Sequence, residues 1–378
     1  MDIFSIVEFK TDPSDALESL DQYLDNGMPP NILMGNVRDS ASDPNEGLLH
    51  TICLNVSEEN LALAQEMIDL LFQYGASWKL LNSNNQTPGC ICLQRGIEVL
   101  YDRFVRAGVT SEVFLRRMTE DNCSEMAEDT PVSTEELAAD GSGKSESRRK
   151  RFKSDKPSFP ECNINDYLKA DLRYNDSALL TNQNDGVMMD WETPIMEQSA
   201  LEITKPQGSV LNVGFGMGII DGYIQQLNPT KHYIVEAHPD VLSRMKETGW
   251  YEKENVVILE GEWKKVLPKL LSQGVTFDGI YYDTFSEQYQ DMLEFFDFVC
   301  GLLDFGGTFS YFNGLGADRQ ICYDVYKQVV GIDLAEFGLG VEYRTLPVNM
   351  PEGTWTDLKR SYFNVKEYAL PKVTFKLE

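Results

Sequence analysis

Val210-Leu211-Asn212-Val213-Gly214-Phe215-Gly216-Met217-Gly218-Ile219-Ile220-Asp221 has the pattern of a strand, a glycine turn and the start of a helix. Glycines allow the backbone to approach a ligand closely, and a helix start offers N–H donors that have no partner within the helix. The next predicted strand ends at Glu236, 22 residues after Gly214. A carboxylate at that point can accept hydrogen bonds from both hydroxyls of a ribose. The turn and the acid together predict a nucleoside-binding site.

The spacing of the glycines separates two classes of nucleoside cofactor. A dinucleotide-binding turn has its third glycine at the position of Ile219, whereas this chain has the Gly-x-Gly-x-Gly spacing common to S-adenosylmethionine sites. The strand that begins near Asp278 ends with Asp283 at its carboxyl edge, where open α/β sheets hold their ligands. These features favour S-adenosylmethionine over NAD.

Apolar runs that alternate with amphipathic segments predict the fold of the C-terminal half. Five strands are expected, with helices of about 12 to 16 residues between them. Two later strands, near 340–346 and 361–368, are expected to pair antiparallel at one edge. The prediction is therefore an α/β, Rossmann-like fold with a seven-stranded, mostly parallel sheet. The five strands are Ser209–Val213, His232–Glu236, Val256–Glu260, Phe277–Tyr282 and Gly307–Phe312.

Composition and charge restrict the classes of function. The 378 residues leave room for two or three domains, and 60 acidic against 33 basic residues give a formal charge of -27. A direct nucleic-acid partner is therefore not expected, whereas a basic protein partner is. The seven cysteines without a CxxC pair, and the lack of a signal peptide or a long apolar run, predict an intracellular chain with reduced thiols and no membrane partner. Because the only histidines are His50, His232 and His238, no metal site is expected.

The N-terminal region carries a weak internal repeat. Residues 46–115 contain two segments, each with a turn-like start and two short amphipathic helices. The expected helix ends at Gly75 and Gly108 are 33 residues apart, and the second segment opens on Thr87-Pro88, so the region resembles ankyrin repeats. Two units are fewer than the roughly three that an independent stack needs. A small helical domain of no repeat class is the alternative.

A segment of biased composition separates two predicted domains. Residues 120–140 carry eight acidic residues and no Lys or Arg, and residues 141–156 carry seven basic residues against two acidic ones. Such a segment has too little apolar surface to offset the entropy of ordering it. Its basic run, Arg148–Lys153, fits a nuclear import signal, an anion-binding patch or plain solvated charge. The predicted organisation is a helical ankyrin-repeat-like domain at 1–118, a disordered acidic/basic linker at 119–158 and an α/β domain at 159–378.

Three further elements carry a family resemblance. Val187-Met188-Met189-Asp190-Trp191-Glu192-Thr193-Pro194-Ile195-Met196 precedes the glycine turn, and Gly261-Glu262-Trp263 and Tyr282-Asp283-Thr284 follow it. With these elements, residues 165–370 resemble guanidinoacetate methyltransferase, which implies a class I S-adenosylmethionine-dependent methyltransferase fold and a methyltransferase domain at 159–378. Preceded by ankyrin-like helices, the whole chain resembles the fungal type IV protein arginine methyltransferases, which methylate the internal δ nitrogen of arginine. The Trp-Glu-Thr-Pro element distinguishes this group from other methyltransferases.

The resemblance implies roles for individual residues around S-adenosyl-L-methionine, whose product is S-adenosyl-L-homocysteine. Tyr167 lies where the small-molecule family has an aromatic side chain that contacts the cofactor. Met188 and Met196 are expected near its sulfonium end, although both also fit a plain core role, and Glu262 and His238 also fit simple helix-start roles. The residues expected to wrap the methionine and ribose are Gly214, Phe215, Gly216, Met217, Gly218, Ile219 and Ile220, and those expected at the ribose or adenine are Glu236, Ala237, His238, Gly261 and Glu262. Asp283 is expected to contact the cofactor as well as the substrate.

Glu192 and Asp283 are the candidate catalytic residues, because two carboxylates can hold a planar guanidinium through charge-assisted hydrogen bonds. Full deprotonation of free arginine at pH 7 would cost about 9 kcal/mol, for a pKa of roughly 13.8. We therefore expect the acids to orient the guanidinium so that one nitrogen faces the methyl group, and the proton to leave during or after transfer. A solvent-facing cap or a core salt bridge is the structural alternative for each acid.

Departures from related families define the competing functions. The chain lacks the Thr-His-Trp loop and the double-E hairpin of the ω-nitrogen arginine methyltransferases, which argues against methylation of the terminal nitrogens. Compared with the small-molecule enzyme it adds the N-terminal region, for which docking of a protein is the simplest role. The alternatives are a small guanidino-compound methyltransferase and a non-enzymatic ankyrin adaptor. The resemblance also implies a ribosomal protein as the substrate and residence in the cytoplasm and the nucleus.

Overall fold

The computed structural model of the chain describes residues 2–39, 43–125 and 164–376. Helices make up the first part of the chain, and a mixed α/β unit makes up the last part. Among the described residues, no helix is long and apolar enough to cross a bilayer. The N-terminal helices are α1 (Ile3–Val7), α2 (Pro13–Asp25), α3 (Leu48–Asn55), α4 (Leu61–Gln73), α5 (Pro88–Gln94) and α6 (Glu98–Glu125), with a 3₁₀ turn at Met34–Asn36.

The two predicted helix pairs of the N-terminal region form as α3 with α4 and α5 with α6, with one correction. Gly75 follows α4 in the left-handed region, at φ +84°, and Thr87 caps α5. Gly108 does not end the second pair, because α6 continues to Glu125. A Cβ atom at Gly108 would lie 2.6 Å from Cγ2 of Val325, so this glycine permits close packing instead. The ankyrin assignment itself stays a prediction.

A seven-stranded sheet is the centre of the C-terminal unit, which confirms the predicted mostly parallel architecture. The elements in chain order are α7 (Ile164–Tyr167), β1 (Leu172–Tyr174), β2 (Ala178–Thr181), β3 (Gly186–Met189), a 3₁₀ turn (Asp190–Glu192), α8 (Thr193–Ile203), β4 (Ser209–Val213), α9 (Ile219–Gln226), β5 (Lys231–Glu236), α10 (Pro239–Glu247), β6 (Val256–Glu260), α11 (Trp263–Ser272), β7 (Phe277–Tyr282), α12 (Tyr289–Leu302), β8 (Leu303–Tyr311), α13 (Gln320–Glu336), β9 (Leu339–Pro347) and β10 (Glu367–Phe375).

The strand order of this sheet is β6-β5-β4-β7-β8-β10-β9. The first five strands pair in parallel, and β10 and β9 join antiparallel at one edge. Because β4 lies between β5 and β7, the carboxyl ends of these three strands are adjacent. The glycine turn, Glu236 and Asp283 follow those ends and therefore meet at one edge of the sheet, as an open α/β fold requires of its ligand site.

Two details of the C-terminal unit differ from the sequence prediction. The last strand is Glu367–Phe375, whereas 361–368 was the expected range. The aromatic residues Tyr362 and Phe363 gave 361–368 a strand-like composition, while Pro371, which has no N–H to donate, made the true strand look broken. The helices α9, α10 and α11 have 8, 9 and 10 residues and are shorter than expected.

A small antiparallel sheet, β1-β2-β3, was not predicted. Its strands have only three or four residues each, too few for an alternation pattern to be recognised. The strand β3 ends at Met189 and is followed directly by the turn Asp190–Glu192. This sheet therefore delivers Met188 and Glu192 to the carboxyl edge of the large sheet.

The N-terminal helices share a core with the C-terminal unit. Ile321 and Val325, from α13, are buried in the same apolar cluster as residues of α1 to α6. A Cβ atom at Gly89 in α5 would lie 1.9 Å from Cδ1 of Ile321, so glycine is required for this approach. The predicted linker start at residue 119 falls within α6, and the rest of the linker, with Arg148–Lys153, lies outside the described residues.

Candidate active site

The glycine turn between β4 and α9 has the backbone that its sequence requires. Gly214, Gly216 and Gly218 have φ values of +96°, +55° and +72°, in the region that L side chains rarely adopt. A Cβ atom at Gly214 would lie 1.9 Å from the carbonyl oxygen of Asp283. The absence of side chains thus lets the ends of β4 and β7 approach closely and leaves an open cradle of backbone atoms at the start of α9.

A buried polar network supports this turn from below. The side-chain amide of Asn212 donates to the carbonyl of Gly214 at 2.9 Å and to both carboxylate oxygens of Asp221 at 2.9 and 3.0 Å. Nε2 of His232 lies 3.1 Å from Oδ1 of Asp221, and all three side chains are fully buried. This network was not predicted, although a polar residue such as Asn212 within an apolar strand indicates a buried hydrogen-bonding role.

Glu236, at the end of β5, joins the turn to the next loop. Its Oε2 accepts the N–H of Phe215 at 2.9 Å, and its Oε1 accepts the N–H groups of Ala237 and His238, both at 2.7 Å. Burial raises the pKa of Glu236, against the effect of these three donors. The carboxylate is thus part of the cradle itself as well as the predicted ribose partner.

We expect Glu236→Gln to weaken S-adenosylhomocysteine binding by roughly tenfold to a hundredfold, the scale of one lost hydrogen bond to a charged group. The amide keeps the size of the side chain but sets an NH₂ against one of the three backbone donors. Calorimetry measures the affinity, and Glu254→Gln, on an exposed turn, is the matched control. An unchanged affinity in a folded Glu236→Gln variant would remove this acid from the cofactor site.

His238 and Tyr167 close the far end of the same edge. Nε2 of His238 lies 3.0 Å from the carbonyl of Tyr167, and Nδ1 accepts the N–H of Asp240 at 3.2 Å, which caps α10. The Tyr167 ring packs on His238 and on Phe285, with centroid distances of 4.8 and 4.9 Å. His238 therefore has the predicted helix-start role through its Nδ1. Its Nε2 also fixes the segment that carries Tyr167.

A cavity of about 860 Å³ opens over this edge of the sheet. Met188 lies over the glycine turn, because its Sδ accepts the N–H of Met217 at 3.3 Å. Met196 instead packs in the core, where the Tyr281 hydroxyl reaches its Sδ at 3.5 Å. Of the predicted site residues, the cavity is lined by Tyr167, Met188, Glu192, Gly214, Gly216, Glu236, Ala237, Gly261, Glu262 and Asp283, and not by Met196, Phe215, Met217, Gly218, Ile219, Ile220 or His238.

Glu192 and Asp283 face this cavity together. Glu192 is 2% exposed, and its Oε1 accepts the N–H of Met189 at 3.1 Å and the hydroxyl of Tyr362. Burial, with repulsion from Asp283, raises the pKa of Glu192 to about 8. Burial, with repulsion from Asp221, raises the pKa of Asp283 to about 7. Ionising these two carboxylates costs free energy unless a cation lies beside them. The pair is therefore suited to a cationic ligand.

The cationic side chains that line the cavity are paired with other acids. Within the described part of the chain, Lys79 pairs with Glu112 at 3.2 Å, Arg319 with Asp318 at 3.0 Å, and Arg360 with Asp185 at 3.0 Å. Neither Glu192 nor Asp283 forms an ion pair with any described residue. The same ranges contain no cluster of three or more His, Cys, Asp or Glu side chains that could hold a metal ion.

Several lining residues were not predicted from the sequence. They come from the loop between α4 and α5, from the start of α13, and from the loop between β9 and β10, all far from the glycine turn along the chain. No local pattern marks them as site residues. They are Lys79, Leu80, Leu81 and Asn85, then Asp318, Arg319, Cys322 and Tyr326, and then Arg360, Ser361, Tyr362 and Asn364.

Known proteins resemble the chain in whole or in part. The guanidinoacetate N-methyltransferase family profile matches residues 160–330. A relative named protein arginine N-methyltransferase 2, from Eremothecium gossypii, is 46% identical and covers 85% of this chain and 82% of its own. Relatives of the same name from Saccharomyces cerevisiae and Debaryomyces hansenii are 43% and 39% identical, and they cover 89% and 99% of this chain and 84% and 99% of their own.

Solved structures resemble the chain more distantly. The M. jannaschii TYW2 protein in complex with AdoMet is 11% identical, with a TM-score of 0.35, and covers 55% of this chain and 87% of its own. The O-methyltransferase TomG from Streptomyces achromogenes in complex with SAM is 16% identical, with a TM-score of 0.35, and covers 50% of this chain and 81% of its own.

Proposed function

The chain belongs to the fungal protein arginine N-methyltransferase 2 family, and we propose that the atom it methylates is the internal, δ nitrogen of an arginine residue in a protein. S-adenosyl-L-methionine is the cofactor and S-adenosyl-L-homocysteine the product. The backbone cradle at Gly214 and Gly216, together with Glu236, fits this group, because a nucleoside needs close backbone approach and a carboxylate for its ribose. When bound, the cofactor supplies an electrophilic methyl group.

The pair of carboxylates without a cation, Glu192 and Asp283, is the feature that best supports an arginine substrate. A guanidinium is planar, carries a permanent charge and presents five N–H donors. Its charge favours the ionised form of both acids, whose pKa values are raised by burial. A neutral substrate would leave this cost of burial without compensation.

The two acids orient the substrate and receive its proton. Charge-assisted hydrogen bonds from the terminal nitrogens to Glu192 and Asp283 hold the guanidinium plane in one orientation. The internal nitrogen is then the one left to react with the methyl group. Once a methyl group is added to that nitrogen, it must lose its proton, and either carboxylate can accept it. Positioning and electrostatic stabilisation supply most of the rate.

The loop between α4 and α5 supports a protein substrate over a small guanidino compound. Leu80 and Leu81 line the same cavity as the two acids, and Leu81 is 37% exposed. These residues lie outside the region that matches the guanidinoacetate methyltransferase family. A free guanidino compound does not require an apolar wall at the entrance, whereas a polypeptide that carries arginine can pack its flanking side chains there. We therefore assign protein docking to the ankyrin-like helical region.

The expected targets are basic ribosomal proteins, and the expected locations are the cytoplasm and the nucleus, with Arg148–Lys153 as a candidate import signal. The test incubates the chain with methyl-labelled cofactor and a lysate from cells that lack it. Label in a ribosomal protein supports the proposal. Label confined to small guanidino compounds supports the guanidinoacetate-type alternative instead, and no label in either supports the non-enzymatic adaptor.

Leu81→Ser should raise the KM for a protein substrate by about tenfold, since burying a leucine is worth roughly 1.5–3 kcal/mol at full contact. S-adenosylhomocysteine affinity should not change, because Leu81 is not among the residues expected to hold the cofactor. Leu54→Ser is the matched control, since Leu54 is 42% exposed in α3 of the same region and is not among the lining residues. Initial rates against acceptor concentration decide the outcome, and equal KM values for the two variants would contradict a docking role for the loop.

A further inference from the structure

The loop Val348–Lys366, between β9 and β10, forms one wall of the cavity and is anchored to the small sheet. The N–H of Lys359 donates to the carbonyl of Asn184 at 3.0 Å, and Arg360 pairs with Asp185 at 3.0 Å. Both anchors lie in the turn between β2 and β3. The loop is therefore tied to the same sheet that delivers Glu192 to the site.

Tyr362 is the residue of this loop that enters the site. Its ring packs against Trp355, at a centroid distance of 4.8 Å, and against Trp191, at 6.0 Å. A Cβ atom at Gly186 would lie 3.1 Å from Cε1 of Tyr362, so the small residue in β3 makes room for the ring. Aromatic contacts on both sides and a tight backbone contact hold the hydroxyl in one place.

The hydroxyl of Tyr362 contacts only one of the two oxygens of the Glu192 carboxylate. Oε1 accepts this O–H together with the N–H of Met189, at 3.1 Å. A carboxylate oxygen has two lone pairs, so two donors occupy Oε1. Within the described part of the chain, no donor is found at Oε2. One oxygen of Glu192 is thus committed to the protein, and the other is available to a ligand.

We propose that Tyr362 is a positioning residue for the methyl-transfer reaction: it holds the Glu192 carboxylate so that Oε2 alone is offered to the arginine substrate. This inference rests on the proposed function. A carboxylate fixed at one oxygen cannot rotate, so the direction from which it accepts a guanidinium N–H is set before the substrate arrives. The link also makes the loop between β9 and β10 part of the machinery, since that loop supplies one of the two donors that hold Oε1 of Glu192.

Burial and the adjacent Glu192 raise the pKa of Tyr362 well above its usual value. The hydroxyl therefore remains protonated and remains a donor throughout the working pH range. A donated hydrogen bond favours the ionised form of the acceptor, so Tyr362 lowers the pKa of Glu192 relative to burial alone. Loss of the hydroxyl should therefore raise the pH at which Glu192 ionises.

The test compares Tyr362→Phe with the full-length wild-type chain, using labelled cofactor and ribosomal proteins from cells that lack this chain as acceptor. We expect kcat to fall by about tenfold to a hundredfold, as for a lost hydrogen bond to a charged group. The acid limb of the pH–rate profile should move to higher pH, and S-adenosylhomocysteine affinity should stay within about twofold, which also shows that the variant is folded.

Tyr343→Phe is the matched control. The Tyr343 hydroxyl lies 3.0 Å from that of Tyr311 and donates to the carbonyl of Lys327 at 3.2 Å, so the variant loses a tyrosine hydroxyl whose partners are neutral and which is not among the lining residues. Its kcat and acid limb should match the wild type. A Tyr362→Phe variant with an unmoved acid limb, or one no slower than Tyr343→Phe, overturns the positioning role alone. A wild-type chain that transfers no label to arginine overturns the proposed function, and this inference with it.

Discussion

Replacing Asp283 with asparagine is expected to lower kcat by roughly 10²–10³-fold, the scale of a lost charged contact in a transition state. The amide keeps the shape of the side chain but removes the charge that attracts the guanidinium. It also removes one of the two groups that can accept the released proton. Asp283 follows β7 directly, and its carboxylate accepts no hydrogen bond from any described residue, so the substitution breaks no internal contact. The loss should therefore appear in turnover and not in folding.

Asp304→Asn, an exposed change at the start of β8, is the control for Asp283→Asn and should leave turnover unchanged. Steady-state rates with labelled cofactor measure the effect, and calorimetry with S-adenosylhomocysteine should show a much smaller change in affinity. If kcat of Asp283→Asn stays within about threefold of the wild type, Asp283 has no role in the reaction, because losing a charged contact in the transition state lowers the rate by more than that.

The same substitution should raise thermal stability at pH 8. Burial raises the pKa of Asp283 from 3.8 to about 7 in the folded chain, so the folded form holds the proton more tightly than the unfolded form. The unfolded chain therefore ionises this side chain at a lower pH than the folded chain, and the resulting loss of stability accumulates as the pH rises from 3.8 to about 7 and is constant above that. Asparagine does not ionise. The gain in melting temperature should be largest at pH 8 and should vanish near pH 4, opposite to the change in activity.

The parallel strands were predictable from the sequence because their pattern is local. The bounds of β4, β6 and β7 agree with the apolar runs that predicted them. Strands buried on both faces are continuous in apolar residues, and the residues that follow them must meet at one edge of the sheet. That rule alone predicts that the glycine turn, Glu236 and Asp283 lie close together.

The rest of the site depends on contacts between distant parts of the chain. Tyr362 and Glu192 are 170 residues apart, and nothing near Tyr362 in the sequence indicates that its hydroxyl reaches an acid. Leu81 reaches the cavity only because α5 and α6 pack on α13, a packing that Gly89 and Gly108 permit. Gly108 was interpreted as a helix end because a glycine has the same sequence signature whether it caps a helix or lets two helices approach.

The number of free carboxylate oxygens supports the proposed δ position of the added methyl group. Oε1 of Glu192 is occupied by Tyr362 and Met189, so Glu192 offers one oxygen, while Asp283 offers a carboxylate without protein donors among the described residues. Three carboxylate oxygens suit the N–H groups of the two terminal nitrogens, which together carry four of the five donors of a guanidinium. The internal nitrogen is then the one left to react. Because it already bonds two carbons, it can gain only one methyl group.

Alkaline hydrolysis of the labelled product is therefore expected to leave essentially all of the label on the ornithine fragment. Hydroxide removes the guanidino carbon with its terminal nitrogens, whereas the internal nitrogen stays attached to the side chain. Parallel hydrolysis of δ-methyl and ω-methyl arginine standards shows where each label is recovered, and product made by the Asp283→Asn variant gives the background. Label recovered as methylamine beside unlabelled ornithine would reject the δ assignment and return the chain to the ω class. A second methyl group on the same arginine would reject it equally, since the δ nitrogen has no site for one.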